Sequence, residues 1–192
     1  MLSSFKLPFN FDPVRLKSDL GQIEPSNWIP HFNQSYYEGD WSVVALRSIG
    51  GVATQIYPDP TARGSFADTH ILARCPYMVE VLATFECPLE AARLLKLSAG
   101  SSIREHKDLN LGYEDGEIRI HIPVQTNEDV SFFLAGERLW MNEGESWYLN
   151  FNLPHRVENR SRADRVHLVL DCVLNDWLRA RFPAPWNQEN LL

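Results

Sequence analysis

From about Glu90 to Val173, turn residues break the apolar stretches at a spacing of roughly 8 to 12 residues, and this rhythm constrains the fold more than any other feature of the chain. Eight runs stand out: around Ala92 to Ser98, Ser102 to His106, Glu117 to Gln125, Val130 to Ala135, Arg138 to Asn142, Glu145 to Asn152, His155 to Asn159 and Arg165 to Val173. Between them lie pairs suited to tight turns, among them Ala99-Gly100, Asp115-Gly116, Gly136-Glu137, Glu143-Gly144 and Leu153-Pro154. Runs this short cannot be helices of ordinary length. Eight of them in succession predict a mainly β fold, a double-stranded β-helix or jelly roll of the cupin-like kind.

The first 90 or so residues read differently. Asp12-Pro13 is an N-cap followed by proline at the first helical position, with Leu16, Leu20 and Ile23 at helical spacing behind it. Cys75-Pro76 opens a second helical stretch to about Phe85. Trp41 to Ser48 is rich in strand formers and ends at Gly50-Gly51, and Pro58 to Gly64 reads as loop. Leu174 to Phe182 reads as a short closing helix, with a loose tail from Pro183. At 192 residues the chain suits one domain: residues 1–90 as supporting helices and extended segments, 90–173 as the jelly-roll core, and 174–192 as a closing helix and tail.

Composition narrows the function. A formal net charge of -7 is a poor match to nucleic acid, whose phosphates demand concentrated basic surface. The start of the sequence has no charged segment followed by an apolar run, and no stretch approaches a membrane span, so a cytoplasmic protein with a small-molecule or peptide substrate is expected. Cys75, Cys87 and Cys172 form no Cys-x-x-Cys pair and read as buried free thiols.

The chemistry lies in one His-x-Asp unit. Residues two apart on a strand share a face, so His106 and Asp108 project the same way. A histidine from a distant strand, His155 after Leu153-Pro154, would complete a face of two histidines and one carboxylate. Such a face leaves positions open on an octahedral Fe(II), the arrangement of non-haem iron oxygenases. Arg165 opens the last apolar run, and its planar fork suits the far carboxylate of a dicarboxylic cosubstrate.

The stretch from Arg93 to Asp171 resembles the aspartyl/asparaginyl β-hydroxylase family, which includes bacterial free-proline 3-hydroxylases. The resemblance is carried by Glu-His-Lys-Asp at 105 to 108, Ile-Arg-Ile-His-Ile at 118 to 122, Gly-Glu-Ser-Trp-Tyr-Leu-Asn at 144 to 150, Pro154-His155, and Arg165 ahead of Val-His-Leu-Val-Leu-Asp. It implies an Fe(II)- and 2-oxoglutarate-dependent dioxygenase, consuming dioxygen and hydroxylating an amino acid, a peptide or an amino-acid-derived small molecule. His106 and His155 would be iron ligands with Asp108, Arg165 the anchor of the cosubstrate's distal carboxylate, and Arg119 and His121 neighbours of the cosubstrate. Animal aspartyl hydroxylases have glycine where Asp108 stands. Its presence implies a full three-residue site, as in the bacterial amino-acid hydroxylases, and argues against halogenation.

Two other readings stay open from the residues alone. A cupin-type metalloenzyme that does not use 2-oxoglutarate would gather three histidines and a glutamate from His-x-His-like spacing, which this sequence lacks. A non-catalytic binding domain on the same fold is the other. His167 shares strand parity with Arg165. His31 and His70 read as surface or loop residues, and Trp140, Trp147 and Tyr148 as core packing. Substrate choice is expected in Tyr36 to Trp41, Asp59 to Thr69 and Leu109 to Gly116.

Overall fold

The computed structural model of the chain describes residues 1–57 and 64–187. Pro58 to Arg63, most of one expected loop, and the tail from Gln188 lie outside the described residues. The strands are β1 (Ser4–Asn10), β2 (Ile29–Pro30), β3 (Tyr37–Glu38), β4 (Trp41–Ile49), β5 (Phe66–Asp68), β6 (Leu89–Leu97), β7 (Ser102–His106), β8 (Glu117–Gln125), β9 (Val130–Leu134), β10 (Glu137–Leu139), β11 (Glu145–Leu149), β12 (His155–Asn159) and β13 (Arg165–Val173). The helices are α1 (Pro13–Leu20), α2 (Pro76–Ala83) and α3 (Asp176–Arg179).

The strands form two antiparallel sheets. One runs β1-β11-β8-β13-β6-β4-β2, with β5 on β4, and the other runs β10-β9-β12-β7-β3. The mainly β, jelly-roll expectation holds, and β7, β8, β12 and β13 fall on the expected runs. The strand β1 was not anticipated. It pairs with β11, Ser4 against Leu149 and Phe5 against Tyr148, and of its seven residues Leu7 alone is buried. Pro8 within it is tolerated because an edge strand needs only one row of ladder bonds.

Side chains alternate across the larger sheet. One face, with Leu94, Ile118, Ile120, Leu168 and Leu170, packs against Leu16 of α1 and Met78, Val81 and Leu82 of α2. Full burial of each such side chain stabilises by about 2 kcal/mol. The helices are also pinned by polar contacts. Asp12 caps α1 through Val14 N–H at 2.8 Å, and the buried Asp19 carboxylate accepts the Met78 N–H at 2.7 Å. The opposite face meets the smaller sheet across Trp41, Leu97, Ile103, Phe132, Phe151 and Val157, and there the cavity opens.

Some expectations fail for identifiable reasons. Trp140 is 51% exposed rather than core, because β10 is a three-residue edge strand that ends at Leu139; its indole N–H donates to Asn142 at 3.1 Å. The closing helix is only Asp176–Arg179, capped by Asn175. Cys75 and Cys172 are buried and Cys87 is half-buried beside Cys172, all free. Among the described residues, no helix is long and apolar enough to cross a membrane.

Candidate metal centre

The site begins with a β-bulge. His155 faces His106 across the β12–β7 ladder, but two residues further along β12, Val157 faces Ile103, three residues away on β7. The extra residue on β7 reverses the alternation, so that Ile103 and His106 both face the interior despite their odd spacing. The two imidazoles lie 4.2 Å apart, centroid to centroid. Asp108, just beyond β7, is held by its own N–H, which donates to Phe151 O at 3.0 Å.

Ligand atoms of His106, Asp108 and His155 all lie within 4.8 Å of one another. Each is also oriented. His106 Nδ1 lies 2.8 Å from Arg104 O and His155 Nδ1 lies 3.1 Å from Leu153 O. A carbonyl only accepts, so both rings carry their proton on Nδ1 and offer the Nε2 lone pair. Asp108 Oδ2 accepts from Arg119 Nη1 at 2.7 Å, and Oδ1 remains 3.8 Å from His106 Nε2. Burial, followed by the nearby His106, lowers His155 to about 4, which keeps the ring neutral. Two neutral imidazoles and a carboxylate can hold a divalent ion on one face.

A cavity of about 700 Å³ extends from this trio between the sheets, with Arg165, His121 and Phe132 in its lining. Arg165 is 2% exposed. Among the described residues it has no carboxylate partner: Nη2 donates to His167 Nδ1 at 2.8 Å, and Nε has none. Burial lowers it to about 9. His121 lies flat on Phe151 and approaches His167 Nδ1 at 3.2 Å, while its buried Nε2 has no partner. Unpaired polar atoms in an interior are costly, and these belong to side chains that line a cavity able to take a ligand.

Arg119 is otherwise engaged. Its Nε donates to Asp171 Oδ1 at 2.7 Å and its Nη1 to Asp108, so it lines the cavity while steering the Asp108 carboxylate. Asp171 also accepts from Arg93, making a chain Arg93–Asp171–Arg119–Asp108 that runs from the buried Asp171 to the half-buried Asp108. Desolvation of Asp171 is overcome by the two guanidiniums, which hold it below the usual carboxylate range. Arg93 and Asp171 were not singled out from sequence, because the pairing depends on β13 lying between β8 and β6. His167 was legible by parity alone. His31, expected at the surface or in a loop, lies in a loop but is half-buried, stacking on Trp41 at 3.6 Å and lining the cavity, whereas His70 is exposed. Tyr36, Trp41, Leu109 and Leu111, from two of the loops expected to face substrate, also line it.

Comparison with known proteins agrees with this architecture. The L-proline cis-4-hydroxylase of Rhizobium meliloti (strain 1021) is 27% identical over 176 residues, covering 89% of this chain; the chain spans 61% of the length of that relative. An oxidoreductase of the 2OG-Fe(II) oxygenase family from Burkholderia pseudomallei superposes with a TM-score of 0.57 at 14% identity, covering 89% of this chain and 85% of that one. The non-heme alpha ketoglutarate dependent epimerase SnoN from nogalamycin biosynthesis gives a TM-score of 0.56 at 9% identity, covering 89% and 78%. These two likenesses concern the fold. The sequence model described as aspartyl/asparaginyl beta-hydroxylase matches residues 14–174, a span that takes in every strand but β1, the His-x-Asp unit and His155, and the chain belongs to that family.

Proposed function

We propose that the chain is an Fe(II)- and 2-oxoglutarate-dependent hydroxylase acting on an amino acid or an amino-acid-derived small molecule. One observation carries this reading: three preoriented donor atoms share a cavity with a buried arginine that has no anionic partner among the described residues. A metal face alone suits many enzymes. A metal face plus a sequestered guanidinium suits a cosubstrate that chelates metal at one end and carries a carboxylate at the other. The named activity of the R. meliloti relative points to an amino acid as substrate.

In this reading His106, Asp108 and His155 hold the iron. When bound, the iron with 2-oxoglutarate supplies dioxygen activation coupled to oxidative decarboxylation of the cosubstrate. The remaining work falls to the chain. The Nδ1–H bonds to Arg104 O and Leu153 O fix both imidazoles, and Arg119 prevents Asp108 from rotating away. Arg165 takes the distal carboxylate, and His167 holds the guanidinium plane through Nη2. Phe132, Phe151 and Val157 keep water from the reacting end.

The test is an anaerobic titration with Fe(II) and 2-oxoglutarate, following the weak visible charge-transfer band of the chelated cosubstrate. The band is expected in wild type, absent in His155→Ala and weakened in Arg165→Ala. A folded, metal-loaded wild type without the band would overturn the reading.

A further inference from the structure

Two loops at the mouth of the metal cavity each hold a large apolar side chain out in water. Phe32 is 59% exposed and Leu109 81%, and both line the cavity. Tyr57, 43% exposed and in the same lining, packs against Phe32 at 4.9 Å between ring centroids. Single exposed apolar residues are ordinary on any surface, but three on the rim of one cavity mark a place where apolar matter docks.

The exposure is built into the loops. His31, just before Phe32, stacks on Trp41, donates its N–H to Trp41 O at 2.8 Å and accepts the Asn33 N–H on Nδ1 at 3.4 Å. Asn33 in turn caps the next turn through the Ser35 N–H at 3.2 Å. Leu109 is bracketed in the same way. Asp108 N–H donates to Phe151 O, Leu111 O accepts the Phe151 N–H at 3.2 Å, and Asn110 between them takes φ 59°, a left-handed conformation that persists where the surroundings fix it. With the backbone pinned on both sides, Phe32 and Leu109 are presented to the mouth.

Inward from the rim the wall stays aromatic. The Tyr36 ring lies 4.6 Å from that of His106 and the Trp41 ring 6.4 Å from it, centroid to centroid. An apolar path therefore runs from solvent to the side of a candidate metal ligand. The cavity of about 700 Å³ also has room beyond a cosubstrate and a small free amino acid, since pockets of about 300 to 1,000 Å³ enclose drug-sized molecules.

We propose that this path receives an apolar group of the substrate, so that the molecule hydroxylated is an amino acid bearing an aryl or long alkyl substituent. The substituent lies along Tyr36 and Trp41 and emerges between Phe32, Tyr57 and Leu109, which set specificity by the apolar surface they cover. This deepens the hydroxylase reading and rests on it for the word hydroxylated; the apolar subsite stands on the rim and the wall.

The substituent can be carried on the side chain, the nitrogen or the carboxyl group. Matched probes separate the three: L-homophenylalanine, N-phenylacetyl-L-alanine and L-alanine benzylamide, each compared with L-alanine by anaerobic calorimetry on protein supplied with Fe(II) and 2-oxoglutarate. At least one aromatic probe is expected to bind roughly tenfold or more tighter than L-alanine, the order supplied by burying one aryl group against an apolar wall, and the probe that does so identifies the attachment point. Phe32→Ser and Leu109→Ser alter side chains that already face water, so the double variant is expected to unfold in urea at the wild-type midpoint and to lose most of that gap. No gap for any aromatic probe, or a gap that survives in the double variant, overturns the proposal. The charge-transfer band recorded on the same samples keeps the two readings apart. A missing band with the gap intact would reject the hydroxylase and leave the apolar subsite standing, whereas the band without the gap would reject the subsite alone.

Discussion

Replacing Arg165 with methionine is expected to stabilise the ligand-free chain while weakening its affinity for 2-oxoglutarate. The guanidinium is fully enclosed, and burial lowers it from the ordinary guanidinium range to about 9 with no opposing cause. At 1.36 kcal/mol per tenfold change in proton affinity, that fall bounds the folding penalty at about 5 kcal/mol. The sign follows from linkage. Below pH 9 both folded and unfolded chains hold the proton and the full penalty applies; above it the folded chain releases the proton first, so stability rises as pH climbs past about 9. Water in the cavity screens part of the charge, and methionine leaves a little space, so a net gain of about 2 kcal/mol is the expectation at pH 7.5. Urea unfolding of metal-free protein in buffer without carboxylate or phosphate, read by tryptophan fluorescence, would show it as a higher midpoint at unchanged slope. Saturating 2-oxoglutarate, added to Fe(II)-loaded protein under anaerobic conditions, should raise the midpoint of wild type well above that of the Fe(II) form and raise the variant's much less. A variant less stable than wild type without ligand would mean that the guanidinium is well satisfied as it stands, and the argument from its isolation would fail.

The buried histidines make the metal-free chain acid-sensitive. Desolvation lowers His31 and His155 to about 4, and His121 and His167 well below 6.5. The unfolded chain therefore takes up protons first, and stability should fall as pH drops from 6.5 towards 4; Glu117, raised to about 7, opposes this with one proton. Urea midpoints at pH 7 and pH 5 test it, and equal midpoints would refute it. Asp171→Asn leaves Arg93 and Arg119 sharing a neutral amide, so we expect a loss of about 3 kcal/mol in stability. Fe(II) affinity should also fall by roughly tenfold to a hundredfold, because Arg119 then loses the anchor that fixes its orientation toward Asp108. Calorimetric metal titration checks this, and an unchanged Fe(II) affinity would show that Arg119 needs no help from Asp171.

Period-two alternation with regular turns was enough to locate most of the sheet, and β8, β12 and β13 were legible residue for residue. The strand β1 was not, because a segment with one buried side chain and an internal proline gives almost no alternation to detect. At the metal centre, residue type and spacing marked His106 and Asp108, yet the inward turn of His106 depends on a bulge that no local propensity reveals. The Arg93–Asp171–Arg119 chain was invisible for a further reason. Its members lie on three strands adjacent only once the sheet is assembled, and each alone reads as an ordinary charged residue.

The pairing of β1 with β11 has a consequence for synthesis in the cell. Ser4 leaves the ribosome first, and its partner Leu149 follows 145 residues later. At about 5 to 20 residues per second this is a wait of roughly 7 to 30 s. Throughout that interval the segment Ser-Phe-Lys-Leu-Pro-Phe-Asn must remain unpaired without joining strands of neighbouring chains. Lys6 and Pro8 suit it to the delay, since a charge and a missing N–H both discourage intermolecular pairing. The proline that hid this strand from the sequence reading thus doubles as a gatekeeper during translation.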